Sequence, residues 1–170
     1  MNKIFTILKK EIFPISLILI LVFARVMPHP PNFTPIIAVG IMSGYLFKNI
    51  YLSLTTVLVS MLLADAFIGF YEHMFFVYLS LLLIAIVFYK ISKKINYKNL
   101  FIFSFFGSVF FFIISNFGLW IIGNLYERNM AGLIECYFMA IPFFKNTLIS
   151  TLIFSYAAFL ASYFYNKKLA

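Results

Sequence analysis

Long apolar runs, separated at short intervals by basic, proline or polar clusters, dominate the chain. They are continuous rather than alternating with period two, and most approach the roughly 20 residues an α-helix needs to cross hydrocarbon. Read this way, they predict helices over about residues 12–27, 33–48, 50–69, 73–92, 99–123 and 144–165. The second has the weakest signal. Residues 129–143 are also apolar but too few to span. They are expected to lie at a membrane interface or to fold back into the protein, where backbone polar groups still find partners. Pro142 is expected to end that stretch before the last helix begins. Pro28, Pro30 and Pro31 keep the first two helices from joining and impose a stiff, extended connection.

Composition turns this pattern into a fold class. The 170 residues suit one domain, 1–170, with 64% hydrophobic and 11% charged residues. A soluble domain is nearer half apolar and a quarter charged. A chain this short has too little interior to hide so much Phe, Leu and Ile, so lipid must cover the outside. The expected fold is an all-α integral membrane protein, a bundle of about six transmembrane helices. The start, with Lys3, Lys9 and Lys10 before an apolar run, resembles a secretory signal. Pro14 and the nearness of the next apolar segment argue instead for a retained first helix.

The net charge of +8 would raise nucleic acid as a partner in a soluble protein. Here the basic residues sit mostly at the ends of apolar runs, where they act as topology signals and anchors to anionic lipid. No nucleic-acid partner is expected. With the N-terminus inside, Lys3, Lys9, Lys10, Lys48, Lys90, Lys93, Lys94, Lys98, Lys167 and Lys168 fall on the cytoplasmic side, against Arg25, Arg128 and Lys145 outside. The bias follows the positive-inside rule and puts both termini in the cytoplasm of a multi-pass bacterial inner-membrane protein. Cys136 is the single cysteine, and with only His29 and His73 there is no ligand set at zinc spacing. No metal or cofactor is expected.

Small residues recur where helices meet. Gly40 and Gly44 are four residues apart, Ser104, Ser108, Ser115 and Gly118 form one stripe, and Thr147, Thr151, Ser155, Ala158 and Ser162 another. Such residues let backbones approach. Packing inside the bundle accounts for them, and Gly40/Gly44 is the best candidate for docking a partner.

The non-basic polar residues gather at one depth. The first helix leaves through Arg25 and Pro28-His29-Pro30-Pro31-Asn32, Asp65 lies about one turn inside the end of the third, and Glu72 and His73 follow. Asn116, Trp120, Tyr126, Glu127, Arg128, Glu135, Tyr137 and Asn146 fall on the same side. Charged and amide groups inside a membrane helix are costly unless they face protein or water. Their clustering predicts a water-accessible pocket opening outward, with Arg25, His29, Asn32, Asp65, Asn116, Trp120, Tyr126, Tyr137 and Asn146 as candidate solute-binding residues. Alternatives stay open at this point. Asp65 and Asn116 can serve as structural hydrogen bonds between helices, Arg25 can snorkel to the headgroups, and Trp120 and the tyrosines can form an aromatic belt.

The runs Arg25-Val-Met-Pro-His-Pro-Pro-Asn-Phe-Thr-Pro-Ile36, Ser115-Asn-Phe-Gly-Leu-Trp120, Gly132-Leu-Ile-Glu-Cys-Tyr137 and Ile141-Pro-Phe-Phe-Lys-Asn-Thr-Leu148, with Asp65, carry a resemblance. They resemble a family of small bacterial six-helix membrane proteins described as transport proteins of unknown function. Members of that family often carry a Gly-Asp pair shortly after Asn-Thr-Leu; in this chain Ile149 follows Leu148, and Ser150 and Thr151 stand there. More distantly, the architecture is similar to the substrate-binding S components of energy-coupling-factor vitamin transporters. That resemblance implies cytoplasmic ends and an outward pocket partly closed by loops. S components often carry an Ala-xxx-Ala pair on the first helix for docking, which the segment from Ile15 to Val26 lacks.

Three functions compete. The first is membrane transport, the import of a small, nutrient- or vitamin-like solute through the pocket. No Gly-x-x-x-x-Gly-Lys-Ser/Thr phosphate loop is present, so ATP-driven uptake would need transmembrane and ATPase partner subunits. An ion or proton gradient with Asp65 as the coupling acid is the other energy source. The second is an outer-surface enzyme using Asp65, Glu72, Glu135, His29 and His73, but no pair stands at catalytic spacing, and the chain is not expected to be an enzyme. The third is a non-transporting subunit of a larger membrane complex.

Overall fold

A computed structural model describes residues 16–169, with side chains described through Phe164. Lys3, Lys9, Lys10 and Pro14 lie outside the described residues, as do the side chains of Lys167 and Lys168. The described chain is all helical: α1 Ser16–Val26, α2 Ile36–Phe47, α3 Ile50–Ile68, α4 Met74–Lys90, a short 3-10 turn Ser92–Lys94, α5 Tyr97–Ile122 and α6 Met130–Leu169. The helix starts are written in the sequence. Asn49 accepts from the amides of Tyr51 and Leu52, and Asn96 from those of Lys98 and Asn99. Each satisfies two of the amides that the first turn leaves without a partner.

Three helices are long and apolar enough to cross a membrane: α3, α5 and residues Met130–Phe164 of α6. The other three, α1, α2 and α4, are shorter apolar helices. The outside of the bundle is greasy; Phe67 is 76% exposed and Phe106 61%. That is the surface a bilayer covers without cost and water does not.

α2 sits at the centre. Every residue from Ile36 to Gly44 is buried, among Leu21, Met61, Leu81, Ile84 and Leu100. Gly40 and Gly44 face α4: a Cβ on Gly40 would lie 3.1 Å from Ile84 Cγ2, and one on Gly44 would lie 2.6 Å from Tyr89 Cα. The Gly pair is thus spent inside the bundle and not on a partner-docking face. These contacts also fix the register, with α2 and α4 running in the same direction and Ile36 level with about Ser80. At 1.5 Å per residue, α2 therefore begins about 9 Å deeper than α4 does. Its 12 residues cover only about 18 Å. The proline-rich connection before it dips into the bundle to reach its start.

The sequence expectation for residues 129–143 is corrected. They are not a separate element: α6 is one helix of 40 residues with Pro142 inside it. Proline at 142 removes one amide donor, but a break there would leave more backbone groups unpaired in apolar surroundings. The helix is also held on both sides of the proline by α5. The Tyr137 hydroxyl donates to the Ile113 carbonyl at 2.6 Å, and the Phe144 ring lies 5.0 Å from that of Phe112.

Candidate functional site

The site begins with an acid in an apolar helix. Asp65, near the end of α3, has no exposed surface. Helix α1 brings Arg25 to it: Nη2 lies 2.5 Å from Asp65 Oδ1. Helix α4 brings Tyr78, whose hydroxyl donates to Asp65 Oδ2 at 2.7 Å. Both carboxylate oxygens are thereby satisfied, which is what lets a charge persist in such a place. Arg25 also points Nη1 at the Met61 sulfur, 3.3 Å away. Its Nε is buried with no partner. Arg25 does not snorkel; with Asp65 and Tyr78 it forms a network that ties α1, α3 and α4 together.

Above the start of α2 lies a cavity of about 260 Å³ lined by Arg25, His29, Asn32, Thr34, Ile36, Ile37, Ile68, Val77, Phe111 and Thr147. A smaller one of about 40 Å³ shares Asn32, Phe111 and Thr147 with it and adds Asn116 and Ser115. The α2 N-terminus opens here without a side-chain cap; Pro35 stands at the N-cap position. The first amides of a helix lack partners within it and carry the positive end of its dipole. The helix end gives the cavity a local preference for negative charge, Arg25 on its wall is already paired with Asp65, and Ile68, Val77 and Phe111 supply apolar walls.

The loop from Pro28 to Pro35 forms the rim. His29 places Nε2 3.2 Å from the Arg25 carbonyl and Nδ1 2.9 Å from the Pro30 carbonyl. Asn32 adopts the left-handed conformation, φ 61°, which asparagine tolerates better than most residues. Asn146 on α6 donates to the Pro31 carbonyl at 3.0 Å. The loop is therefore fastened at two points, to α1 by His29 and to α6 by Asn146.

Of the nine candidate residues, Arg25, His29 and Asn32 line the larger cavity and Asn116 the smaller. Asp65 stands behind the wall and reaches the cavity only through Arg25. Asn146 positions the rim. The remaining three lie elsewhere. The Trp120 Nε1 donates to the Glu127 carbonyl at 2.9 Å and braces the α5–α6 connection. Tyr137 joins α6 to α5, and Tyr126 sits in that connection, its hydroxyl pKa raised by burial, with Cys136 and Glu135 adding to the effect.

Sequence reasoning missed Tyr78, Tyr71, Thr34 and Thr147. In the α3–α4 connection, burial and then Asp65 push the Tyr71 hydroxyl up, opposed by the charge and hydrogen bonding of Arg25, which places Tyr71 in the same network. Nearby, burial lowers the His73 pKa against the opposing pull of Glu72. A usable signal existed for Tyr78. A buried acid needs donors from the neighbouring helix, and Tyr78 stands one turn inside α4, beside the end of α3 that carries Asp65.

A family model covers residues 5–170 and decides kinship. The chain belongs to DUF6580, a family of unknown function. No curated protein and no solved structure matches this DUF6580 chain.

Proposed function

We propose that this DUF6580 protein is a membrane transport protein that binds a small acidic solute in the cavity above α2 and carries it across the bilayer. In this reading the chain crosses the bilayer six times, α2 doing so only together with the proline-rich connection before it, both termini face the cytoplasm, and the cavity opens outward. One observation carries the reading: a cavity with Arg25 on its wall opens directly onto the uncapped N-terminus of a short helix buried in an apolar-coated bundle. Interrupted or half-length helices whose positive ends meet an anionic group near the bilayer midplane are a recurrent way of building a transport site. Irregular backbone at that depth is tolerated where it lines a water-filled cavity. The volume of about 260 Å³ lies just below the usual range for drug-sized ligands, so the solute is small. Its acidic group meets Arg25 and the α2 amides, and its apolar part meets Ile68, Val77 and Phe111.

Two energy sources fit. Asp65 can serve as the acid of a proton-coupled cycle, or partner transmembrane and ATPase subunits can drive uptake as in energy-coupling-factor systems. The test is a thermal-shift screen of the detergent-purified protein against small monocarboxylates, dicarboxylates, phosphate esters and neutral or cationic compounds of equal size. A ligand that binds only the folded state raises the midpoint by mass action, about 2.7 kcal/mol at a hundredfold excess over Kd. Stabilisation confined to acidic compounds supports the reading. Stabilisation confined to neutral or cationic ones overturns it.

A further inference from the structure

Arg25 belongs to two places at once. It lines the larger cavity, whereas Asp65, fully buried, does not. Its guanidinium is also incompletely used. Nη2 meets Asp65, Nη1 meets only the Met61 sulfur, a weak acceptor, and Nε is buried with no partner. A carboxylate is the acceptor that such a group lacks, because its two oxygens match the guanidinium fork. An acid that enters the cavity therefore meets a cation that Asp65 already holds.

The charges then do not balance. Arg25 and Asp65 cancel each other. A monoanion beside them adds one net negative charge to an apolar bundle, and the α2 N-terminus offsets only about half of it. Two carboxylates on one guanidinium lie within about 4–6 Å of each other, close enough that one of them keeps a proton. That proton has few places to go. The groups that face Asp65 are Arg25 from α1, Tyr78 from α4 and Tyr71 from the α3–α4 connection. α2, which also packs on α3, has nothing titratable from Ile36 to Gly44. Arg25 and both tyrosines already carry their protons: Tyr78 gives its O–H to Asp65, and burial pushes the Tyr71 hydroxyl up. His29, on the cavity wall, has both ring nitrogens against backbone carbonyls. Once a solute shares Arg25, Asp65 is the group left short of positive charge.

We propose that the cavity binds a small monocarboxylate together with one proton, which passes from solution to Asp65 Oδ1 as Arg25 Nη2 turns to the solute. One O–H bond forms on Asp65, the Tyr78 hydroxyl keeps its bond to Oδ2, and the site returns to zero net charge. A dianion brings a second negative charge, and among the described residues no second acid stands beside Asp65 to neutralise it. This inference rests on the solute-binding reading of the cavity and adds to it the solute's charge and its coupling to a proton.

The test uses the unsubstituted full chain in mild detergent near neutral pH, with benzoate, hexanoate and monomethyl succinate as probes. Calorimetric titration in buffers of different ionisation enthalpy counts the protons taken up with each bound probe, and a count near one is expected. Infrared difference spectra, recorded with the probe isotopically labelled at its carboxyl carbon, show where the proton sits. A new carboxylic-acid C=O band that the label does not move supports Asp65, since Glu72, Glu127 and Glu135 are exposed. A band that moves with the label puts the proton on the solute, and proton uptake with no band puts it on a histidine. Either result overturns the inference, and so does a count near zero. Asp65→Asn, which has the shape of the protonated acid, is expected to bind the probes with no proton taken up; a count still near one overturns the assignment to Asp65. Succinate is expected to bind at least tenfold more weakly than its monomethyl ester, and equal affinity contradicts the charge argument. If another class of acid binds and no monocarboxylate does, this inference falls and the solute reading stands. If no acid binds, both fall.

Discussion

Asp65 shows how one costly residue organises its surroundings. Its carboxylate takes a charged donor from α1 and a neutral one from α4, so removing either partner leaves the rest buried and unmatched. Asp65→Asn keeps the shape but leaves the Arg25 charge, whose side chain is only 16% exposed, without its counter-ion. Breaking a buried pair in this way costs about 3–5 kcal/mol. The double change Arg25→Gln with Asp65→Asn removes both charges together and is expected to recover most of that loss. Chemical unfolding of Asp65→Asn, Arg25→Gln and the double variant in mild detergent measures the coupling. Additive losses in the double variant would show that the two side chains do not act as a pair. Asp65 was legible in the sequence as an acid stranded among apolar residues, and Arg25 as a charge at a helix end. Their pairing was not, because 40 positions separate them and only the packing of α1 against α3 closes that distance.

At the scale of elements, α2 is the helix that the apolar pattern marked most weakly and the fold uses most. A helix buried all round carries no polar face, so nothing in its periodicity announced that it lies at the centre. Its closeness to α4 depends on Gly44. A methyl group there would meet Tyr89 backbone at 2.6 Å, whereas at Gly40 it would meet the Ile84 side chain at 3.1 Å. Backbone cannot move aside as a side chain can, so Gly44→Ala is expected to cost about 1–3 kcal/mol and Gly40→Ala less. Thermal unfolding of the two variants side by side checks the order. Equal midpoints would contradict the close α2–α4 crossing. Pro142 was misread for a related reason. Proline is a reliable stop signal where water can take up freed backbone groups, and a poor one where hydrocarbon and a packed neighbour both favour continuing the helix.

The whole molecule is an apolar shell around a short central helix, with its polar chemistry gathered above that helix's N-terminus. The helical class and the clustering of polar residues at one end followed from the sequence, because both are written in local runs. The cavity did not, because it arises where Arg25, Asn32, Ile68, Phe111 and Thr147 converge from distant positions. Trp120, Tyr126 and Tyr137 lie toward the same end of the bundle as the cavity without reaching it, since position along the chain says nothing about which face a side chain occupies.

Native mass spectrometry of the protein released from its own membranes, compared with the Arg25→Gln/Asp65→Asn variant, tests the central claim most directly. The account expects the unsubstituted protein to retain a small acidic molecule, and the folded double variant to lose it or hold it at least tenfold more weakly. A retained solute that is unaffected by the double change, or that carries no acidic group, would contradict it.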